Sequence, residues 1–384
     1  MLRYTTHVCL VSQDEELNIT PTLHAGFKPD NVLLIYTRWH KEKAHNLSLI
    51  FNQHKINTRF LEIINKQNVP HISQLIRQAI EQILVDNKDT KNKVVLNITG
   101  GSQLLALLSH EIFNELKLPV FYVNKETDIV HFLPLKQQQS HQFHLDDRLK
   151  IKDYLLAYGI KAHYRISAQS QSSIADNHKK LALTLIENIE QYQKPLAKFN
   201  YYAGQTNKSF QAHINHNDLK DSNFMNLIHL FVDLDIIHFT GKTLDFSNEA
   251  NRFFCNGGWL EEYIFQQLSE LKETLSIQDI MTGLEIELPC GSKNEIDVAF
   301  MANNRFYLIE CKTKKYSGHA AGNNTLYKLD TLKHYGSNQS KAMLISYHRL
   351  TNSNRRRADD YQLKIISAHK IKQLKALMVE WLNG

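Results

Sequence analysis

Residues 294–315 read NEIDVAFMANNRFYLIECKTKK. Ile296, Val298 and Phe300 alternate with Glu295, Asp297 and Ala299, which is the period of a β-strand. Phe306–Lys312 is a second strand-like run, rich in aromatic and branched residues. Asn303-Asn304 lies between them, and Asn tolerates the left-handed backbone that a tight hairpin turn needs. A turn at this pair places Asp297 opposite Glu310 and Glu295 opposite Lys312. Ile296, Val298 and Phe300 then face Cys311, Ile309 and Tyr307. One face of the hairpin is therefore expected to be wholly apolar, and the other to gather the charge.

Two carboxylates directly across a ladder repel, because their Cβ atoms are only about 5 Å apart. A divalent cation between them offsets that repulsion, and hard oxygen ligands suit Mg²⁺ or Mn²⁺. Lys312, two residues beyond Glu310, shares its face. A metal beside a lysine suits phosphodiester hydrolysis: the metal acidifies a bound water, and the ammonium positions that water or steadies developing charge. A solvated hairpin face with a Glu–Lys pair would show the same short pattern. The strand context of all three residues favours the site, and so does a carboxylate-bearing helix ahead of them. That helix is NGGWLEEYIFQQLSELKE, residues 256–273, which opens after Gly257-Gly258. Leu260, Tyr263, Ile264, Gln267, Leu268 and Leu271 form its inward stripe. Glu261 flanks that stripe and is the candidate third metal residue, with Glu262 farther round. Acids at a helix start also suit the helix dipole.

Gly-Trp-Leu-Glu261, then Asn-Glu-Ile-Asp297, then Ile-Glu310-Cys-Lys312-Thr, resembles the PD-(D/E)xK nuclease superfamily. More narrowly, with LYKLDTLKHYG at residues 326–336, it is similar to the CRISPR-associated CARF nucleases that cyclic oligoadenylates switch on. The resemblance implies a restriction-endonuclease-like domain with Asp297, Glu310 and Lys312 catalytic, and Glu261, Asp297 and Glu310 on Mn²⁺ or Mg²⁺. It also implies an N-terminal Rossmann-like CARF domain.

The first 135 residues fit that layout. His7–Ser12, Val32–Thr37, Thr58–Ile63, Val94–Thr99 and Val120–Asn124 are short apolar runs with helical patterns between several of them, the mark of a mostly parallel α/β sheet. Such sheets bind ligands beyond the carboxyl ends of their strands. Ser12 and Gln13 end one run, Thr37 another, and Thr99-Gly100-Gly101-Ser102-Gln103 leads from a third into a helix. Glycines permit close backbone approach, and helix-start N–H groups attract phosphate. A plain strand-to-helix turn would look the same by itself. Beside the nuclease motif it resembles a CARF ligand loop. The family often has Thr-Gly-Gly-Thr-Lys here, and this chain has Gln103 in place of the lysine. Binding through backbone amides and hydroxyls survives that change; a direct charge contact to phosphate does not.

Of the 384 residues, 42% are hydrophobic, ample for two or three cores. No apolar run approaches the ~18 residues of a membrane span, and the start turns acidic too soon for a signal peptide. The four cysteines form no CxxC pair and are expected to be reduced in a cytoplasmic protein. The net charge of +6 is compatible with a polyanionic partner, and Arg355, Arg356 and Arg357 cluster in the last third. Residues 137–147 are polar and read as a linker. The region after it pairs two amphipathic helices with a hairpin turning at Gly241-Lys242, a winged-helix-like pattern. Its second helix is acidic and apolar rather than basic, which favours a connector or dimer element over a DNA reader.

The expected organisation is therefore a CARF domain over 1–136, a linker and winged-helix-like connector over 137–250, and a PD-(D/E)xK domain over 251–384. The expected protein is a homodimer gated by cyclic tetra-adenylate that cuts single-stranded DNA and RNA. The rival readings are a ligand-responsive transcription regulator with a decayed nuclease, and a restriction or repair nuclease unconnected with cyclic nucleotides. The intact Asp297–Glu310–Lys312 set argues against the first, and the N-terminal loop layout against the second.

Overall fold

The computed structural model describes residues 4–64, 67–86, 93–134, 141–146, 148–164, 176–206, 209–315 and 318–383, with the side chains of 164 and 318–321 outside the description. The N-terminal domain runs β1 (Thr6–Leu10), α1 (Glu16–Leu23), β2 (Asn31–Thr37), α2 (Lys41–Gln53), β3 (Asn57–Ile63), α3 (Val69–Asp86), β4 (Val94–Asn97), α4 (Gln103–Glu115), β5 (Val120–Asn124), β6 (Ile129–Phe132) and β7 (Gln142–His144). The sheet order is β3-β2-β1-β4-β5-β6-β7, parallel from β3 to β5. β1 and β4 are buried along their whole length, as parallel strands covered on both faces must be. The chain reverses direction across the sheet between β1 and β4, the switch point at which such sheets leave a crevice.

Two strands end sooner than their apolar runs suggest. The Ser12 N–H turns to the Glu15 carboxylate (3.1 Å), and the Thr99 N–H to the Asn97 side chain (3.1 Å), so both segments leave the ladder. The expected 137–250 connector also divides. Residues 137–140 lie outside the described residues, but Gln142–His144 extends the N-terminal sheet as β7. After α5 (Ile151–Ala157), β8 (Lys161–Tyr164) pairs with the C-terminal sheet instead. Backbone pairing decided both, and short polar strands carry little pattern.

The middle module comprises α6 (Asp176–Glu187), α7 (Ile189–Gln205), β9 (Gln211–His213), α8 (His216–Leu219), α9 (Ser222–Asp233), β10 (His238–Phe239) and β11 (Thr243–Asp245). Helix α9 is capped by Asp221, which accepts from Asn223 and Phe224 N–H, and buries Phe224, Leu227, Ile228 and Phe231 on one face. The β10–β11 hairpin turns around Gly241 (φ 76°), where the sequence places the turn, and β9 pairs with β11 as a third strand.

The C-terminal domain follows as α10 (Glu249–Phe253), α11 (Trp259–Glu270), β12 (Ile277–Glu287), β13 (Lys293–Ala302), β14 (Arg305–Lys312), α12 (Gly318–His334), β15 (Lys341–Ser346), α13 (Asn352–Asp360), β16 (Lys364–Ser367) and α14 (Leu374–Asn383). Its sheet order is β16-β15-β14-β13-β12-β8. The β13–β14 turn is at Asn303-Asn304, with φ of 48° and 52°. Asn304 is buried and its side-chain oxygen accepts from the Arg148 and Leu149 N–H groups and from Gln278, tying the hairpin tip to the segment that leaves the N-terminal domain. The expectation of one apolar and one charged face is corrected here. Ala299, Met301, Phe306 and Leu308, on the face of Asp297 and Glu310, are buried as well. The hairpin is a central element covered on both sides, and its carboxylates gather at the end away from the turn.

Two buried clusters cross domain boundaries. One joins Phe199 and Phe231 of the middle module to Trp259, Val298, Phe300 and Tyr307. The other joins Cys9, Leu34 and Phe51 of the N-terminal domain to Tyr154, Leu284, Met301, Leu326 and Leu329. The bend before α11 rests on Gly257 (φ 124°), where a Cβ would run into the Thr313 hydroxyl. Gly257→Ala is therefore expected to lower stability by about 1–3 kcal/mol, the cost of holding a non-glycine residue in a forbidden backbone region. Denaturant unfolding measures it, and an unchanged midpoint would show that the bend relaxes freely.

Candidate active site and ligand loops

The β13–β14 ladder runs from Ala302↔Arg305 to Val298↔Ile309 and stops there. Beyond it β14 stays with β15, pairing Glu310↔Leu344 and Lys312↔Ser346, while β13 stays with β12, pairing Glu295↔Glu285. Glu295 therefore does not lie opposite Lys312, because the two strands part before reaching it. The fork makes room for Asp297, whose carboxylate accepts the Cys311 N–H at 2.6 Å. Glu310 is only 4% exposed, and both its oxygens are occupied. Lys312 donates to Oε1, and Lys328, from α12, donates to Oε2 at 2.9 Å.

Helix α11 completes the cluster. Glu262 turns away to His178 Nδ1 (3.0 Å), whereas Glu261 comes within electrostatic reach of Asp297, Glu295 and Glu310. Burial, and then Asp297 and Glu295, push the Glu261 carboxyl up to about 9. Burial, and then Glu310, push Asp297 to about 7, against the pull of Lys312 and the Cys311 N–H. Burial disfavours the charged form of Lys312, but Glu310 and Asp297 outweigh it and hold its pKa above the ordinary lysine value. Among the described residues, no group of three or more His, Cys, Asp or Glu side chains is placed so that it could hold a metal ion. The donor chemistry nevertheless fits a hard divalent cation. Carboxylates crowded to the point of favouring their protons gain from one, and Mg²⁺ or Mn²⁺ retains waters and takes phosphate oxygens rather than needing a full protein cage.

Lys328 is the residue that sequence reasoning missed. It sits in the LYKLDTLKHYG stretch, one position before the buried Leu329, and so flanks that helix's apolar stripe as Glu261 flanks its own.

At the other end of the chain, the β1–β4 pairing brings Ser12 and Gln13 beside Thr99–Gln103, with Thr37 one strand farther along. Thr99 Oγ1 donates to Asn97 (2.7 Å) and accepts the Val123 N–H (2.8 Å), so this hydroxyl holds the loop together. Thr37 Oγ1 lies 3.3 Å from His40 Nδ1. A Cβ on Gly100 would strike the Leu10 carbonyl, and Gly101 has φ of 79°, so the glycines let the loop lie flat on the end of β1. Ser102 caps α4 by accepting the Leu105 N–H (3.3 Å), and Gln103 is exposed beside it. Three further residues emerge only from the structure. Glu15 is fully buried, which raises its carboxyl to about 8. Lys43 donates to the Gln13 carbonyl at 3.0 Å. Trp39 stands 85% exposed in a groove lined with Tyr36, Arg38 and Phe60; an aromatic directly after a strand end was its only sequence signal.

Residues 6–154 match the family described as the Card1 CARF domain, and residues 247–383 the Card1-like endonuclease domain. The chain is a CARF-domain endonuclease. Among solved structures it is similar to protein VC1899 from Vibrio cholerae, at 26% identity and a TM-score of 0.88 over 98% of each chain. It shares its fold with Can2 from Sulfobacillus thermosulfidooxidans, solved with cyclic tetra-adenylate, at 23% identity and a TM-score of 0.75 over 99% of this chain and 98% of that one. A type III CRISPR defence DNA nuclease activated by cyclic oligoadenylate shares the fold more distantly, at 12% identity and a TM-score of 0.57 over 90% of this chain and 46% of that one. No curated protein matches the chain.

The endonuclease cluster carries a pH signature. The folded chain holds the Asp297 proton more tightly than the unfolded chain, so this group favours folding below its ordinary 3.8 and loses that contribution as pH rises through about 7. Without metal, Asp297→Asn keeps an acceptor for the Cys311 N–H. It is expected to melt above the wild type near pH 8 and level with it below about pH 4. Thermal unfolding with a chelator checks this; identical melting at both pH values would mean that neither burial nor Glu310 raises this carboxyl.

Proposed function

We propose that cyclic tetra-adenylate switches this endonuclease on, and that it then cleaves single-stranded DNA and RNA with Mn²⁺ or Mg²⁺, nicking supercoiled duplex as well, as part of type III CRISPR antiviral defence in the cytoplasm. The observation that carries the reading is the convergence of Asp297, Glu310 and Lys312 at the strand fork, joined by Glu261, in a chain whose other end is a CARF domain. The cyclic tetra-adenylate in the Can2 structure and the description of the type III nuclease as activated by cyclic oligoadenylate support this choice of activator. No helix among the described residues is long and apolar enough to cross a membrane.

In this reading Glu261, Asp297 and Glu310 hold the divalent cation, which when bound neutralises phosphate charge and acidifies an attacking water. Lys312 orients that water and bears on the charge developing at the phosphate. The Cys311 N–H fixes the rotamer of Asp297. In the CARF domain, the N–H groups at the start of α4 and the flat Gly100-Gly101 backbone face the activator's phosphates, with Ser12, Gln13 and Thr37 across the switch point. Leu104 and Leu107, 36% and 69% exposed on the same helix, offer an apolar face for a second copy. A two-fold dimer presents one loop twice to a ring of four identical nucleotides.

Asp297→Ala or Glu310→Ala is expected to abolish cleavage of labelled single strands and leave cyclic tetra-adenylate binding unchanged. Gly101→Asp should do the reverse, removing activator binding while basal metal-dependent cutting remains. Near-normal cutting by Asp297→Ala, or unchanged affinity of Gly101→Asp by calorimetry, would overturn the respective assignment.

Gln103→Lys should tighten activator binding at low salt by adding an ammonium near a phosphate, since a charge-assisted hydrogen bond contributes about 1.5–3 kcal/mol against about 1 for a neutral one. The gain should shrink toward physiological ionic strength, where exposed charges are screened within about 8 Å. Affinity at two salt concentrations decides it: no gain at low salt places Gln103 outside the phosphate shell.

A further inference from the structure

Helix α12 touches the catalytic cluster with its middle and the CARF domain with its C-terminal end. In its middle, Lys328 Nζ lies 2.9 Å from Glu310 Oε2. Just beyond its end, the Ser337 hydroxyl donates to the Glu16 carboxylate, and the Tyr158 hydroxyl donates to the same group. The Ser337 N–H donates to the Tyr154 hydroxyl at 2.6 Å, and a Cβ on Gly336 would collide with that hydroxyl, so the turn is fixed in place. Gln339 reaches the Lys125 carbonyl (3.1 Å), and Lys125 Nζ lies 2.7 Å from Asp14 and 3.8 Å from Glu16. Both Glu16 and Ser337 are 5% exposed.

Glu16 begins α1, immediately after the Ser12–Gln13 loop. Lys43 closes the circuit from the other side, bonded to the Gln13 carbonyl (3.0 Å) and 5.4 Å above the Tyr158 ring. The apolar face of α12, Leu326 and Leu329, lies in the same core as Cys9, Val11 and Ile19 of the CARF domain. The ligand-loop region and α12 are thus joined by hydrogen bonds on one side and by a shared apolar core on the other.

We propose that Lys328 is a gate on the metal site worked from the CARF domain. In the closed state of this gate Lys328 holds Glu310 Oε2, the contact that the structure shows. Activator binding at Ser12–Gln13 shifts α12 through the Glu16–Ser337 hydrogen bond and withdraws the ammonium, leaving that oxygen to the divalent cation. The inference rests on the roles given above to Glu310 and to the Ser12–Gln13 loop. Lys312 cannot serve as the gate, because it lies two residues away on the same strand and moves with Glu310. Lys328 arrives on a separate helix. The exchange never leaves the buried carboxylate without a positive partner, a state that costs several kcal/mol. Because coupling is reciprocal, Mn²⁺ must also tighten activator binding by the factor with which the activator tightens Mn²⁺.

Calorimetric titration of the full chain with Mn²⁺, with and without saturating cyclic tetra-adenylate, tests this apart from cleavage. In the wild type the activator should tighten Mn²⁺ binding within the roughly 5–150-fold span usual for coupled sites. Lys328→Met should bind Mn²⁺ tightly without activator and respond to it no further. Ser337→Ala should bind the activator normally while the coupling factor falls toward one, and this variant stands as evidence even where Lys328→Met fails to fold. A Lys328→Met chain that still responds to the activator as the wild type does, or a wild type whose Mn²⁺ affinity ignores the activator, overturns the gate and leaves the function standing. A wild type that binds neither ligand overturns both.

Discussion

Glu310 is a buried carboxylate held between two ammonium groups. A charge so deep in a sheet persists only where partners replace its lost water, and the fold around it can be read as the supply of those partners. Lys312 comes from the same strand. Lys328 comes from a helix that must dock across the sheet to deliver it. The strand itself changes neighbours here, leaving β13 at Ile309 and continuing with β15. That fork removes the ladder bond that the Cys311 N–H would otherwise make to β13, and Asp297 supplies the replacement. The position of Asp297 is thus a consequence of satisfying a backbone donor, and its chemistry follows from where that donor points.

The same economy of partners explains how the domains are joined. The middle module and the CARF domain each share a continuous apolar core with the endonuclease sheet. The polar seam between CARF and endonuclease elements is no looser: Asn304 takes up two backbone N–H groups of the linking segment, and Glu16 takes up two hydroxyls. Exposed surface charges contribute little to such a joint. Buried carboxylates and amides with every contact satisfied contribute geometry.

The hairpin was legible because its signals were local. Strand alternation, a left-handed Asn-Asn turn and two carboxylates at a fixed offset all lie within residues 294–315, and the turn and register came out as expected. The parallel layout of the first domain was legible for a similar reason, since branched apolar runs separated by helical patterns allow few arrangements. What stayed hidden depended on partners distant in sequence. Nothing within residues 142–164 tells which sheet Gln142–His144 or Lys161–Tyr164 will join. The fork at Ile309 is invisible without β15, so Glu295 was placed opposite Lys312. Lys328 reads as one more lysine on an amphipathic helix until Glu310 is seen beneath it. The second face of the hairpin was expected to gather charge because Asp297 and Glu310 dominate its pattern, yet Ala299, Met301 and Leu308 continue it as core.

Gating has to respect the shared cores. Sliding the CARF and endonuclease domains past each other within one chain would expose Leu34, Phe51, Met301 and Leu326 together, at roughly 25 cal/mol for every Å² of apolar surface returned to water. A small nucleotide has limited differential binding energy to set against such a cost, and it can shift an equilibrium only by that difference. Large movements of one domain past the other are therefore disfavoured. Movements inside the chain must be small and must end on a group whose state changes sharply over a short distance. An ion pair meets that requirement, because a displacement of about an ångström at hydrogen-bond range separates a strong charge-assisted contact from a weak one. The carboxylate that two lysines share meets it: Glu310 is buried and held on both oxygens, and one of those contacts comes from the helix beside it.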